Sequence, residues 1–350
     1  MKIFHNFFDQ MVSLDHLFQS WNYFRRGKGK RKDVQQFERH LEDNIFELQL
    51  DLQTLQYQHG PYHQFFVFDP KERHISGASV RDQLVHQAIY TILTDLFDRK
   101  FIFHSLSSRL QKGTHIGIDH LHRMIRKVSA NGKKPCFALK MDIRRFFDNI
   151  DHQILKKLIQ KNLHDEKILH LVGTIIDSFN TQNSSHSAVG IPLGNVTSQL
   201  FANIYLHELD MFIKQTLHER YYLRYCDDFI FLSPNEHHLK SLIPIVEKFL
   251  LEKLRLELHP KKIILRKLNQ GIDFVGYVLF SKYRLVRATT KRRIKKRLKE
   301  TYEQYLEGKI DANFMDQRLQ SYLGILSHAN QHTLSQALKN AYWVRSERVI

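Results

Sequence analysis

The sequence predicts an α+β fold with a largely antiparallel sheet. Residues 136–143 alternate apolar and other side chains, which is typical of a strand. Residues 221–225 and 229–233 are two short runs of aromatic and aliphatic residues, and the acidic turn between them indicates a hairpin. Apolar residues elsewhere recur every three or four positions, as in helices. Strands and helices therefore follow one another in mixed order, which favours the α+β class.

Two helices are expected before the first strand. The first spans residues 33–57, where the apolar residues Val34, Phe37, Leu41, Ile45, Leu48 and Leu52 lie at helical spacing. The second spans residues 80–101. A third helix follows the strand at 136–143, with Asn149 or Asp151 as its N-cap.

The second half of the chain predicts more helix and a second hairpin. A Gly/Pro loop at 187–195 precedes a long helix, for which Thr197 or Ser198 is the expected N-cap. A helix is expected at 239–254, a hairpin within 271–288, and mostly helix from 291 to 350.

Composition indicates a folded, basic protein. The 350 residues include 53 Lys+Arg and 36 Asp+Glu, a net charge of +17, and 42% are hydrophobic, which excludes a disordered basic tail. No apolar run is long enough to span a membrane, and the N-terminus does not resemble a signal peptide. Two cysteines, Cys136 and Cys226, argue for a reducing compartment. We therefore expect a cytoplasmic protein that binds a polyanion and not a membrane.

The positive charge is concentrated in two segments. Residues 25–32 read RRGKGKRK, and residues 281–299 contain ten basic residues and no acid. A solvated helix face is the simplest interpretation of either run. In a helix, however, the cations of the second run repel one another at spacings of three and four, so phosphates would stabilise it.

Three carboxylates indicate the chemistry. Asp227 and Asp228 lie in the turn between two apolar strands, and Asp142 ends another strand between Met141 and Ile143. Turn chemistry alone could explain an Asp-Asp pair. Because ionised carboxylates among apolar residues need a counter-charge, and two strands of one sheet can bring Asp142 beside Asp227, the pattern favours a divalent-cation site for phosphoryl transfer.

The chain resembles reverse transcriptases in five motifs that occur in order. YCDD at 225–228 resembles their Y-x-D-D hairpin, and LKMDIRRFFDNIDH at 139–152 resembles the preceding metal-binding motif. GIPLGNVTSQLFANIYLHELD at 190–210 resembles the loop and helix that hold the nascent base pair. SSRLQKGTH at 107–115 and GIDFVGYVLF at 271–280 resemble a fingers motif and the primer-grip hairpin.

The resemblance implies a right-hand polymerase with fingers, an antiparallel-sheet palm and a helical thumb. It implies an N-terminal helical extension at 1–60, fingers at 61–135, a palm at 136–285 and a thumb at 286–350. The implied activity is RNA-directed DNA synthesis from dNTPs on an RNA template with a DNA or RNA primer.

The resemblance also implies roles for individual residues. Asp142, Asp227 and Asp228 would be catalytic and, with the Ile143 carbonyl, would bind two Mg²⁺ ions, with Mn²⁺ as a substitute. Phe147 would exclude ribonucleotides, although core packing would also explain an aromatic residue there. The remaining implied nucleotide contacts are Lys71, Arg73, Arg144, Leu193, Gly194, Gln199 and Lys262, with Lys261 as an alternative to Lys262. The implied template and primer contacts are Arg109, Lys112, Phe274, Gly276, Tyr277, Arg292 and Lys296. A salt-bridged surface is the alternative for Arg109 and Lys112.

One motif indicates which subgroup of reverse transcriptases the chain resembles. Most reverse transcriptases have Gln where this chain has Leu193, and Gln199 replaces a usual Pro. The pattern resembles the enzymes of diversity-generating retroelements, which misincorporate at template adenines in mutagenic retrohoming and use a small basic helical-bundle accessory protein. A retron-type or phage-defence enzyme remains an alternative. A catalytically idle, maturase-like RNA-binding protein would not need all three acids, and Phe147 disfavours an RNA-templated RNA polymerase.

Overall fold

The computed structural model describes residues 7–68, 72–181 and 188–346. Within these ranges no helix is both long and apolar enough to cross a membrane. The helices are α1 (Phe7–Met11), α2 (Leu14–Arg25), α3 (Lys32–Arg39), α4 (Leu41–Gln53), α5 (Val80–Phe97), α6 (Thr114–Val128), α7 (His152–Gln160), α8 (Glu166–Asp177), α9 (Val196–Met211), α10 (Glu236–Leu254), α11 (Ala288–Leu306), α12 (Ala312–Ser327) and α13 (His332–Ser346).

The strands form three antiparallel sheets. They are β1 (His63–Phe68), β2 (Glu72–Gly77), β3 (Phe137–Asp142), β4 (Tyr222–Tyr225), β5 (Asp228–Ser233), β6 (Ile264–Lys267), β7 (Ile272–Phe274), β8 (Tyr277–Leu279) and β9 (Arg284–Val286). The central sheet has the order β4-β5-β3-β6, β1 pairs with β2, and the third sheet has the order β7-β8-β9. Every pairing within these sheets is antiparallel, so the predicted α+β class is confirmed.

The central sheet separates two hydrophobic cores. Because successive strand residues point to opposite faces, β3 directs Leu139 and Met141 into a larger core and Ala138 into a smaller one. The larger core includes residues of α1–α5 and α7–α10, and the smaller core includes residues of α6, β7–β9, α11 and α12. Asp142, four positions after Ala138, therefore lies on the face of the sheet that is turned toward the smaller core.

Two local predictions are wrong. The helix expected at 33–57 is interrupted at His40, whose backbone is not helical, and at the break the Phe37 carbonyl accepts both the His40 N–H and Asn44 Nδ2. The helix expected to be capped by Thr197 or Ser198 begins at Val196, because Asn195 already has the extended backbone of an N-cap.

Other expected elements are present, with shifts of a few residues at some of their ends. Of the two candidate caps for α7, Asp151 is the one that caps it, since its side chain accepts the Ile154 N–H at 3.0 Å. The hairpin at Cys226 is present, and α5 ends four residues earlier than expected.

The basic C-terminal run starts a three-helix unit. Ile294 and Leu298 of α11 are buried, whereas Arg292 and Lys296 are exposed. The expected repulsion along α11 is offset by acids beyond the run, since Lys296 lies 3.7 Å from Glu300 in an i,i+4 pair. The helix is therefore less dependent on an external anion than the sequence alone suggested.

Candidate active site

A two-residue turn carries the central acids. Tyr225 pairs with Asp228 across β4 and β5, which leaves Cys226 and Asp227 as the turn. Cys226 has φ +55°, the left-handed region that favours glycine, so the turn has a backbone conformation that is unfavourable for this residue. The turn places Asp227 at the end of the hairpin and Asp228 at the start of β5.

The sheet brings the third carboxylate to the same place. Asp142 is the residue directly opposite Asp228 in the β3–β5 register. The end of β3 is held by the Asp142 carbonyl, which accepts the His259 N–H at 2.8 Å. Directly paired antiparallel residues have Cβ atoms about 5 Å apart, so the two carboxylates are neighbours.

The acids interact unfavourably with one another. Burial, and then the charge of Asp142, raise the pKa of Asp227. Burial also raises the pKa of Asp228 to about 6. The charge of Lys140 opposes this shift, and the charge of Asp142 adds to it. Such shifts are expected where carboxylates cluster and a cation would favour their ionised form.

Two lysines supply the counter-charge in this structure. Lys140 Nζ lies 3.1 Å from Asp228 Oδ2, and Lys262 Nζ lies 2.6 Å from Asp142 Oδ1. Among residues 7–68, 72–181 and 188–346, no group of three His, Cys, Asp or Glu side chains is arranged to hold a metal ion. The donor set of carboxylate oxygens nevertheless fits a hard divalent cation, for which the two ammonium groups are substitutes.

A buried arginine supports the turn, and the sequence analysis missed it. Arg224 is 1% exposed, and its guanidinium forms a bidentate pair with the fully buried Asp210 at 2.7 and 2.9 Å. Its other N–H groups donate to the Cys226 carbonyl at 3.0 Å, the Asn203 side chain at 3.2 Å and the Ser105 hydroxyl at 2.9 Å. The only available signal was an Arg between apolar strand residues.

The loop at Leu193 contacts the β1–β2 hairpin. The Leu193 carbonyl accepts the Ser76 N–H at 2.9 Å, and the Leu193 side chain is half-buried. Gly194 has φ +123°, and an added Cβ would lie 2.8 Å from Ile75 Cγ2, so only glycine fits there without a shift. Gln199 is exposed on the first turns of α9.

Phe147, and not Phe146, is the aromatic residue that remains partly accessible. Phe146 is 2% exposed in the larger core, whereas Phe147 is half-buried and meets it edge to face with centroids 5.3 Å apart. The Phe147 carbonyl accepts the Ile191 N–H at 2.9 Å, which ties it to the Leu193 loop. Arg144 is exposed and lies 3.1 Å from Glu257.

The basic residues expected to contact the nucleotide have different surroundings in the structure. Lys71 lies outside the described residues, and Arg73 is exposed on β2 opposite Val67. Of the two adjacent lysines, Lys262 rather than Lys261 is the one that contacts Asp142. The backbone hydrogen bond from His259 to Asp142 holds the next residues beside Asp142. These residues form the 3₁₀ turn Pro260–Lys262, at the end of which Lys262 reaches the carboxylate.

Arg109 does not have a free guanidinium. It is 8% exposed, pairs with Asp98 at 2.6 Å and donates to the Ile102 and Ser105 carbonyls. This is the structural ion pair that the sequence left as an alternative, and it argues against a phosphate contact. Lys112 is different, since the residue is only half-buried and its ammonium lies 3.4 Å from the Phe103 ring centroid.

The hairpin of β7 and β8, for which the resemblance predicts a primer grip, directs its aromatic side chains inward. Phe274 is fully buried beside Tyr225, and the buried Tyr277 donates its hydroxyl to the Ile325 carbonyl at 2.9 Å. These side chains are used in packing, which argues against direct primer contact. The turn at Gly276, with φ +94° and open space around it, remains accessible.

Comparisons with solved structures agree with this architecture. A telomerase from Candida tropicalis, truncated from its C-terminal domain, has a TM-score of 0.50 at 15% identity over 66% of this chain and 55% of its own. A telomerase from Candida albicans, in complex with a fragment of telomeric RNA, has a TM-score of 0.51 at 13% identity over 85% of this chain and 56% of its own. The fold is therefore that of a right-hand polymerase.

The family follows from the sequence match. The model of the family "Reverse transcriptase (RNA-dependent DNA polymerase)" matches residues 69–279, which is more than half of the chain, so the chain belongs to the reverse transcriptase family. The group II intron-encoded protein LtrA of Lactococcus lactis is 31% identical over 147 residues. Protein YkfC of Escherichia coli is 23% identical over 250 residues.

The curated relatives are longer than the matched region. The match to LtrA covers 41% of this chain and 23% of LtrA, and the match to YkfC covers 61% of this chain and 64% of YkfC. The match to an uncharacterised 91 kDa protein of a Schizosaccharomyces pombe cob intron covers 17% of that protein. The chain therefore spans less than two thirds of the length of each of these relatives.

Proposed function

We propose that this protein is an RNA-directed DNA polymerase that copies an RNA template into cDNA. The observation that carries the proposal is the direct pairing of Asp142 with Asp228 at the ends of two antiparallel strands, with Asp227 in the adjoining turn. Membership in the reverse transcriptase family supports the same reaction. In this proposal residues 61–135 serve as fingers, 136–285 as palm and 286–350 as thumb.

The three carboxylates would hold two Mg²⁺ ions, or Mn²⁺ in their place, with the Ile143 carbonyl as a further ligand. When bound, such ions activate the attacking 3′-hydroxyl group and stabilise the leaving pyrophosphate. Lys262, at the edge of this carboxylate cluster, adds positive charge on the side where pyrophosphate leaves. The positive charge of Arg73 on β2 would hold the incoming triphosphate, together with that of Lys71, which lies outside the described residues.

Phe147 would select dNTPs over ribonucleotides by occupying the space beside the sugar 2′ position. Its ring packs against the larger core and Phe146, and it is only half-buried, so part of it stays accessible for this role. Exposed Arg292 and Lys296 on α11, and Lys112 near α6, would contact template–primer phosphates without reading sequence.

We further propose that synthesis is error-prone at template adenines, as in diversity-generating retroelements. Leu193 supports this because an aliphatic side chain cannot donate the hydrogen bond that an amide would give the nucleotide. A lost hydrogen bond is worth about 1–3 kcal/mol, or roughly 10–100-fold in selectivity. A structured RNA and a small basic helical-bundle protein are the expected partners. A group II intron-type enzyme is the second candidate, which the match to LtrA favours.

Primer extension on a defined RNA tests the reaction. We expect a DNA product that requires Mg²⁺, and Asp227→Asn should abolish it while leaving RNA affinity unchanged. Because burial and Asp142 raise the pKa of Asp227, removing its charge should also raise the melting temperature. Absence of a DNA product from the wild-type protein, with and without its expected partners, would refute the proposed activity.

Sequencing of the products tests the subtype. Wild-type cDNA should contain an excess of errors opposite adenine, and Leu193→Gln should lower that excess by about 10-fold. Equal error rates opposite all four template bases would favour the group II intron-type candidate. An unchanged spectrum in Leu193→Gln would show that this position does not set fidelity.

A further inference from the structure

The side chain of Asn195 has an unusual use for its position. Asn195 is the N-cap residue of α9, where asparagine normally accepts an N–H from the first helical turn. Here the side chain makes no such bond and is 3% exposed. It points instead at β2, the second strand of the β1–β2 hairpin.

The Asn195 amide pairs with β2 as another strand would. Its Nδ2 donates to the Ser76 carbonyl at 3.3 Å, and its Oδ1 accepts the Ala78 N–H at 3.4 Å. Next to these two bonds, the Ser76 N–H donates to the Leu193 carbonyl at 2.9 Å. A side-chain amide offers both a donor and an acceptor, as a peptide group does, so neither Asp nor Leu could replace it.

The contact joins two parts of the expected nucleotide site. β2 carries Arg73, and the loop before Asn195 carries Leu193 and Gly194. Gly194 has no Cβ, which allows the two segments to approach closely at Ile75. The segments are far apart in sequence, and these backbone and amide bonds hold them in one arrangement.

We propose that Asn195 is a positioning residue that locks the β1–β2 hairpin onto the Leu193 loop. Through this lock a single side chain sets both the triphosphate contacts of the hairpin and the base contact of Leu193. The inference rests on the proposed DNA synthesis, and it assigns to Asn195 a control over nucleotide affinity and base selectivity.

The test compares Asn195→Ala with a matched control. Gln83→Ala also removes an amide that bonds to Ala78, since Gln83 Nε2 donates to the Ala78 carbonyl at 2.6 Å, but Gln83 belongs to α5 and does not bond to the Leu193 loop. We expect Asn195→Ala to raise the KM for dNTPs by about 10-fold with a smaller change in kcat, and to alter the error spectrum. Gln83→Ala should lower the melting temperature without either effect.

Hydrogen exchange gives a readout that does not depend on activity. The Ser76 and Ala78 amides should exchange faster in Asn195→Ala, whereas Gln83→Ala should leave the Ser76 amide protected. Unchanged exchange in Asn195→Ala, or an unchanged KM and error spectrum in an active Asn195→Ala enzyme, would overturn the proposal. A wild-type protein that makes no DNA refutes the proposed function instead, and the exchange result then decides whether the lock exists.

Discussion

The buried pair of Arg224 and Asp210 allows a prediction that separates stability from catalysis. Burial lowers the pKa of Arg224, but the Asp210 carboxylate outweighs that effect and keeps the guanidinium charged. Replacing Arg224 by Met would leave Asp210, which is fully buried, without its counter-charge. Breaking such a pair costs about 3–5 kcal/mol, a large part of the roughly 5–15 kcal/mol that stabilises a typical domain.

A second substitution removes the unpaired charge. The double variant Arg224→Met/Asp210→Asn removes both charges of this pair. In the wild type the Tyr222 hydroxyl donates to Asp210 at 2.7 Å, and the Asn side chain can still accept this bond. We expect the double variant to recover at least about 2 kcal/mol of the loss in the free energy of unfolding. Urea denaturation of the wild type and of the three variants in this cycle measures the recovery.

Catalysis should not recover with stability. The Cys226 carbonyl, in the turn that carries Asp227, loses its Arg224 donor in both variants. A displacement of about 1 Å at a reacting group can cost about 100-fold in rate. We therefore expect a similar loss of kcat in the single and double variants. If the double variant regains both stability and synthesis, Arg224 is only a counter-charge for Asp210 and does not position the turn.

Two further predictions concern pH and salt. Burial, and then His59, lower the pKa of His86 to about 3, so the unfolded chain binds a proton that the native state does not. Stability should therefore be complete above about pH 6.5 and fall by about 1.4 kcal/mol per unit as the pH drops from there toward 3. His86→Gln should flatten this slope in urea denaturation, and an unchanged slope would contradict the assignment. Arg292→Gln should reduce the salt dependence of RNA binding by about one unit of log–log slope, and Lys248→Gln on α10 should not. Equal slopes in these two variants would show that α11 does not contact the phosphates.

Much of the active site could be predicted from local sequence. The alternation of residues in β3 identified the strand that ends at Asp142, and the apolar runs on both sides of Cys226 identified the hairpin. Once both strands were assigned to one sheet, proximity of Asp142 and Asp227 was a natural consequence. These signals are strong because buried strands are short apolar runs, in which an acidic residue at the end stands out.

Local sequence was a poor guide where a residue has two plausible environments. Arg109 lies in a mostly polar loop and Arg224 between apolar strand residues, and nothing local shows that protein oxygens surround each guanidinium. His40 interrupts an amphipathic pattern that is continuous in sequence. Lys261 and Lys262 are adjacent residues of the same type, so the sequence does not distinguish them. The 3₁₀ turn Pro260–Lys262 directs Lys262 to Asp142.

The sequence alone therefore determined the class of fold, the strands that carry the acids and the family to which the chain belongs. Tertiary structure decided which cations are free, which aromatic residues are accessible, and that Asn195 serves the β1–β2 hairpin instead of its own helix. The physical reason is that periodicity reports whether a residue faces a core. The partners of a buried polar group come from distant segments, and hydrogen-bond geometry in the folded chain selects them.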